Sequence, residues 1–387
     1  MSKPRHSIRW AAAALTALTL TMRMLPAQAA AATATATATA TVPATPAYAP
    51  VVPGVPLRFP EDFGSHPVFR TEWWYVTGWL ETARGRPLGF QITFFRTKPA
   101  IDERNPSAFA ARQLLIAHCA LSDPDHGSLW RDQRIRRAGF DLAQAASGDT
   151  NVRLDGWVLR RTPGEGEARG SYIVDVNADE LSMRLTLEAA QPPLLNGDSG
   201  FSRKGPAPQS ASYYYSVPHL QVSGRVSRGG GAEESVHGEA WLDHEWSSEY
   251  LDAQAVGWDW TGINLDDGGA LMVFRIRDAQ GGTRFAGGTL RDAGGGTRIL
   301  SQTDLELTPI GRWTSPRTGI AYPVAWTLRA GTREFELRPL MDDQENDARL
   351  STGAVYWEGA IRVFESHVLA GRGYLELTGY GDRLRLK

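Results

Sequence analysis

Glu72-Trp73-Trp74-Tyr75-Val76-Thr77-Gly78-Trp79-Leu80 places three Trp and one Tyr in nine residues. Aromatic and β-branched residues favour the pleated, half-buried surface of a strand, and a Gly inside such a run marks a bend or a close approach. A weaker copy lies far downstream as Trp258-Asp259-Trp260-Thr261-Gly262-Ile263-Asn264-Leu265. Each copy leads through a Gly-containing turn into a second apolar strand that ends in Arg. These partners are Leu88 to Arg96 and Ala270 to Arg275. A hairpin of this kind occurring twice predicts two related β-domains.

The remaining chain continues the pattern. Strands are predicted over Gln113–Leu121, Val152–Leu159, Ser171–Val176, Leu181–Glu188, Leu220–Val226 and Val236–Leu242, and then from Ala255 onward through Tyr374–Thr378. Met183 to Leu187 alternates apolar and polar residues with the period of two that a strand requires. No long amphipathic helix is visible, and many short strands with Gly-rich turns indicate an all-β protein built as barrels or sandwiches. Gln191 to Gln209 carries little periodic signal and reads as a long loop. At 387 residues the chain has room for two domains, each large enough for its own core. Acidic and basic residues nearly cancel, 43 against 41, so no nucleic-acid footprint is present. The single cysteine, Cys119, sits in an apolar run and reads as a buried hydrophobe, with no intrachain disulfide available.

The N-terminus reads as an address. Lys3, Arg5 and Arg9 precede a short apolar run, Trp10 to Leu20, and Ala27-Gln28-Ala29 offers a small-x-small cleavage site. Residues 1–29 are therefore expected to be a signal peptide, with export to the periplasm or beyond. Residues 30–56 form an Ala/Thr/Pro tract expected to be a disordered linker, with structure beginning near Leu57. A first domain is expected over 57–248 and a second over 249–387.

Chemistry is sought where ionisable groups interrupt apolar strands, because burying one is costly unless it is paired. Glu72, His118, Asp243 and His244 meet that description and are expected to converge on one buried network, as an acid/base site or as a structural lock. Metal binding by His66, His118, His244 and Glu72 has weak support, since no tight ligand spacing is present. No G-x-S-x-G elbow exists, and the Gly-rich segments lack the following helix of a phosphate cradle. Trp73, Trp74, Tyr75, Trp79, Trp258 and Trp260 alternate along their strands, so each strand turns some rings inward and some outward. Rings that line a cavity would suit a long apolar ligand or a developing carbocation.

Pro60-x-Asp62-x-Gly64-x-His66-Pro67-x-Phe69-Arg70-Thr71-Glu72-Trp73-Trp74-Tyr75 resembles the opening of the AttH/carotenoid 1,2-hydratase family. The His118 strand ending at Asp123, the Tyr214-Tyr215-Ser216 step and Asp243-His244-x-Trp246 are similar to the same family. The resemblance runs from about Leu57 to the C-terminus. It implies two lipocalin-like (calycin) β-barrel domains in tandem and an exported bacterial protein. It implies binding of a hydrophobic small molecule, a lipid or isoprenoid, with no cofactor. The hydratase branch adds water to a terminal C=C bond. On that model Asp243 or Asp259 would donate the proton, Trp246 and Trp258 would face the cation, and His244 would be the base. Glu72 and His118 complete the candidate catalytic set, and Trp73, Trp74, Tyr75, Trp260 and Tyr215 complete the ligand-binding set. A further alternative is a periplasmic accessory of a membrane transport system.

Overall fold

The strands follow one another as the alternation demands. In the computed structural model, which describes residues 48–102, 104–164 and 166–383, the first thirteen are β1 (Thr71–Thr82), β2 (Pro87–Thr97), β3 (Leu114–Asp123), β4 (Ser128–Arg137), β5 (Ala143–Ala145), β6 (Asn151–Leu154), β7 (Trp157–Gly164), β8 (Gly166–Asn177), β9 (Leu181–Ala189), β10 (Leu194–Leu195), β11 (Phe201–Arg203), β12 (Ala211–Arg228) and β13 (Glu234–Ser247). They form one antiparallel sheet in the order β4-β3-β2-β1-β13-β12-β9-β8-β7-β6-β5, with β10 and β11 added to β12. The sheet curls until Arg134 of β4 donates to the carbonyls of Asp155 (2.7 Å) and Asn177 (2.9 Å), nearly closing a barrel.

The next ten strands are β14 (Gly257–Leu265), β15 (Ala270–Arg277), β16 (Thr283–Arg291), β17 (Thr297–Leu300), β18 (Leu305–Thr314), β19 (Ala321–Ala330), β20 (Arg333–Pro339), β21 (Glu345–Ala348), β22 (Ala354–Glu365) and β23 (Val368–Leu377). They form a second antiparallel sheet ordered β17-β16-β15-β14-β23-β22-β20-β19-β18, with β21 on β22. The fold is thus all-β, with two β-barrel domains. Both lie within one compact unit.

Each barrel is filled. Trp74, Val76, Leu80, Leu242 and Trp246 belong to the first core with Met183, Leu185 and Leu187 of β9. Ile263, Leu265, Trp326 and Trp357 belong to the second. A third apolar cluster joins the outer faces of the two sheets through Tyr75, Trp79, Tyr214, Trp241, Trp260, Phe274 and Tyr374. Gly89 permits that approach, since a Cβ there would stand 2.6 Å from the Cβ of Ala360.

The structure departs from sequence-based expectation in several places. The expected strand Val152–Leu159 is a hairpin, broken by Asp155 and Gly156 with positive φ of 48° and 85°. Asp-Gly is the pair such a two-residue turn prefers. The supposed loop Gln191–Gln209 contributes β10 and β11. Residues ahead of Leu57 are already packed: Tyr48 donates to the Lys98 carbonyl (3.0 Å), Val51 is buried, and the Val52 backbone pairs with the Tyr213 hydroxyl (3.1 and 3.0 Å). The few large side chains of the Ala/Thr/Pro tract sit at its end, so its average composition hid them. The expected signal peptide and residues 30–47 of the linker lie outside the described residues.

The two Trp-rich strands also align differently than their Thr-Gly pairs imply. Tyr75 faces away from the first core, whereas Asp259, two residues ahead of its own Thr-Gly step as Tyr75 is, points into the second barrel. The structural match is the acid opposite an Arg: Glu72 pairs with Arg96 in register, and Asp259 with Arg275.

Candidate functional site

Two polar assemblies occupy opposite faces of β1 and β13. Successive residues of a strand point to opposite sides. On β13, His244 and Trp246 enter the first barrel while Asp243 and Glu245 face the second domain.

Inside the first barrel, the Glu72 carboxylate is fully buried and receives the His66 ring at Nδ1 (2.7 Å), the His66 backbone N–H, His244 at Nε2 (2.9 Å) and Arg96 at Nε (2.7 Å). Burial alone would raise its pKa, but the hydrogen bonds from His244 and His66 and the Arg96 charge hold it well below the carboxylate range. His66 meets Glu72 on one nitrogen and Asp62 on the other (3.0 Å). Both partners only accept, so both nitrogens carry hydrogen. Burial pulls the His66 pKa down, yet the two carboxylates raise it overall. His244 stays neutral, its pKa lowered by burial: Nε2–H donates to Glu72 and the Tyr215 hydroxyl donates to Nδ1 (3.0 Å). Trp246 stacks on His66 at 3.7 Å, and Trp74 stacks on His244 at 4.6 Å. One ligand atom each from His66, Glu72 and His244 lie within 4.8 Å of one another, the spacing a metal ion would use. Each of those atoms is already bound to another member of the set, and Arg96 occupies the second carboxylate oxygen. The arrangement therefore satisfies itself as a hydrogen-bonded lock on the barrel.

Outside the first barrel and against the second lies a cavity of about 1240 Å³. Its aromatic wall includes Trp73, Tyr75, Tyr214, Tyr250, Trp258 and Trp260, and its polar wall includes Asp243, Glu245, Glu358, Glu376 and His118. Asp243 receives Tyr214 (2.7 Å), Ser216 (2.5 Å) and Trp241 (2.6 Å). Burial outweighs these donors and pushes its pKa up to about 7. Glu245 pairs with the buried Lys204 (3.0 Å) and receives the Ser212 hydroxyl. Glu358 and Glu376 are direct cross-strand neighbours on β22 and β23. Like charges placed opposite each other repel. Burial, reinforced by Glu376, raises the Glu358 pKa well above the usual range, and burial pushes Glu376 up to about 7. Tyr75 donates to Glu358 (3.1 Å) and the Trp258 indole to Glu376 (2.8 Å).

The expected single network is therefore divided. Glu72 and His244 meet inside the first barrel, and Asp243 faces the cavity. His118 stands apart on β3, bridging to the second domain through Tyr356 (2.8 Å) and Ser351 (2.8 Å), with burial dropping its pKa to about 3. Asp259 does not face the cavity: it is held inside the second barrel by Arg275 (2.6 Å), Arg277 (3.0 Å) and Tyr380 (2.8 Å). Of the expected ligand-binding rings, Trp73, Tyr75, Trp258 and Trp260 line the cavity, whereas Trp74, Trp246 and Tyr215 belong to the first core. Glu358 and Glu376 were missed. Each is an acid set between apolar residues of a strand, the same signal that singles out Glu72. Cys119 is buried, which pushes its thiol pKa up.

A family model described as AttH-like matches residues 50–380. No curated protein matches the chain. Among solved structures, an AttH protein from Nitrosomonas europaea is 53% identical, with 86% of this chain and 99% of that one covered at a TM-score of 0.79. Kievitone hydratase from Nectria haematococca is 16% identical, covering 88% and 98% at a TM-score of 0.62. CghA, solved with Sch210972, is 13% identical, covering 88% and 96% at 0.54. The last two share the fold.

Proposed function

Since the chain belongs to the AttH-like family, we propose that it binds a hydrophobic, unsaturated small molecule, a lipid or isoprenoid, between its barrels and adds water to a C=C bond. The observation that carries this reading is the pairing of Glu358 with Glu376 beside the aromatic cavity. A carrier would have an almost wholly apolar lining. Here buried carboxyls held protonated near neutral pH stand beside Trp rings, which is what protonation of an alkene requires. The rings would face the cation that forms. A relative of the same fold is a hydratase by name and another was solved with a small molecule, which agrees with the reading and does not carry it. The barrel interiors are filled, so the ligand is assigned to the space between domains. The pattern over residues 1–29 supports an exported protein working in the periplasm or beyond.

Native mass spectrometry of protein from its own source should show an apolar molecule co-purifying. Incubation with acyclic isoprenoid alkenes in ¹⁸O-water should give alcohol carrying the label, and Glu358→Gln/Glu376→Gln should abolish it. A bound ligand recovered without label across the alkene series would reduce the function to binding. Absence of any bound apolar ligand and of label together would reject the reading.

A further inference from the structure

The carboxyls around the cavity fall into two kinds, and the kinds follow the domains. On the first-domain wall Asp243 has three hydrogen-bonding partners, Trp241, Tyr214 and Ser216. Trp241 only donates. Ser216 also accepts from Asn196 (2.8 Å) and Tyr214 from Trp260 (3.0 Å), which leaves each hydroxyl its own hydrogen to give to Asp243. Glu245 on the same wall has Lys204, which also acts on Asp243, and forms the only ion pair of the four acids among the described residues. On the second-domain wall Glu376 has one donor, Trp258, and Glu358 has Tyr75 with Asn346 also acting on it, and each has an acid directly opposite in register. Glu358 is 2% exposed, and its Oε1 has no hydrogen-bond partner among the described residues. Its other charged or titratable neighbours are Tyr75, Tyr356, Tyr374 and Glu376, none of them cationic. Glu376 faces Asp243 and Glu245 across the cavity.

We propose that the walls divide the acid–base work: the Glu358/Glu376 pair of the second domain shares and donates the proton, and Asp243 of the first domain is the base that takes one from water. This assignment rests on the hydration reading of the cavity. The pair's proton forms a C–H bond at one alkene carbon. Water forms a C–O bond at the other and loses its proton to the Asp243 carboxylate. That proton then leaves to solvent and solvent returns one to the pair, so the sum is one water added. The donor count supplies the physical cause, because hydrogen bonds stabilise an ionised carboxylate and a like-charged neighbour destabilises it. Lys204 is a positioning residue: its ion pair with Glu245 works against the burial that raises that acid, so that Glu245 competes less for the proton.

Carboxyl-carbon ¹³C NMR of the full chain tests this without a ligand, using protein labelled on Glu or, separately, on Asp. At mildly alkaline pH one Glu carboxyl should keep the shift of a protonated acid, and Glu358→Gln/Glu376→Gln should delete it. The Asp resonance that Asp243→Asn deletes should be that of a carboxylate at the same pH. Either single variant, Glu358→Gln or Glu376→Gln, should lower the titration of the acid that remains; an unmoved titration overturns the sharing. A protonated Asp243 under conditions where both Glu are ionised overturns the assignment. Absence of apolar binding or of ¹⁸O label would reject the hydration reading while leaving these resonances to be read, so the two fail separately.

Discussion

Among the described residues, Glu72→Ala removes the only carboxylate that Arg96 touches and one of the two that hold His66. Arg96 and Glu72 are both essentially excluded from solvent. Breaking a buried pair by deleting one partner leaves an uncompensated charge, at a cost of about 3–5 kcal/mol. The His66 backbone N–H also loses its acceptor, worth about 1 kcal/mol. Urea unfolding of wild type and variant should therefore differ by roughly 4–6 kcal/mol near neutral pH. The sign with pH follows from the direction of each shift. The folded-state pKa of Glu72 lies below its ordinary 4.5, so its stabilisation is complete above 4.5 and is lost as pH falls through the folded value. His66 is raised above 6.5, so its stabilisation is complete below 6.5 and is lost as pH rises through the folded value. The gap between the two proteins should be widest between these limits and should close in acid. A gap under about 1 kcal/mol, or one that acid does not narrow, would refute a buried ionic lock.

Trp74→Ala empties a fully buried site in the first core and should cost about 3–5 kcal/mol by chemical unfolding, whereas the half-buried Trp73 should cost less and weaken binding of an apolar probe more. Asp243 is raised from 3.8 to about 7, so its burial lowers stability progressively as pH rises between those values, by up to about 4 kcal/mol; Asp243→Asn should flatten that part of the pH–stability curve. His118→Ala removes two hydrogen bonds that join the domains and should cost about 1–3 kcal/mol near neutral pH; because burial keeps the folded ring neutral while the unfolded ring takes up a proton below its ordinary 6.5, that cost should shrink as pH falls below 6.5. Gly89→Leu should separate the domains, seen as greater protease sensitivity of the Ser248–Val256 connection with each barrel still folded.

The all-β architecture was legible because alternation and turn chemistry are local. Leu181 to Leu187 carries its own burial pattern, and Asp155-Gly156 carries a hairpin that composition alone had overlooked. The partnership of Glu72 with His244 was legible because an acid and a His inside apolar strands each need a partner. What local pattern could not supply was the side of the sheet on which each residue falls. The Thr-Gly steps of the two Trp-rich strands are similar in sequence, yet Asp259 turns into its barrel while Tyr75 turns out of its own. Asp243 and His244 were expected in one network because each is an ionisable group in an apolar strand, although adjacency in a strand puts them on opposite faces. Glu358 and Glu376 become neighbours only through the pairing of β22 with β23, which no segment of sequence displays by itself.

That separation has a mechanical consequence. β1 and β13 are direct neighbours, with Trp74 opposite His244 and Tyr75 opposite Asp243. On one face their side chains lock the first barrel through Glu72, His66, Arg96 and His244; on the other they present Tyr75, Asp243 and Glu245 to the cavity. A strand cannot slip by one residue without exchanging its two faces. The buried ionic lock thus fixes the register that places Asp243 among its three donors. His244→Phe, which fills the ring's space and removes its bond to Glu72, should leave the fold intact while loosening that placement. The Asp243 titration in Asp-labelled protein would then move, although residue 244 never touches the cavity. An unmoved Asp243 titration in a folded His244→Phe protein would show that the two faces of β13 act independently.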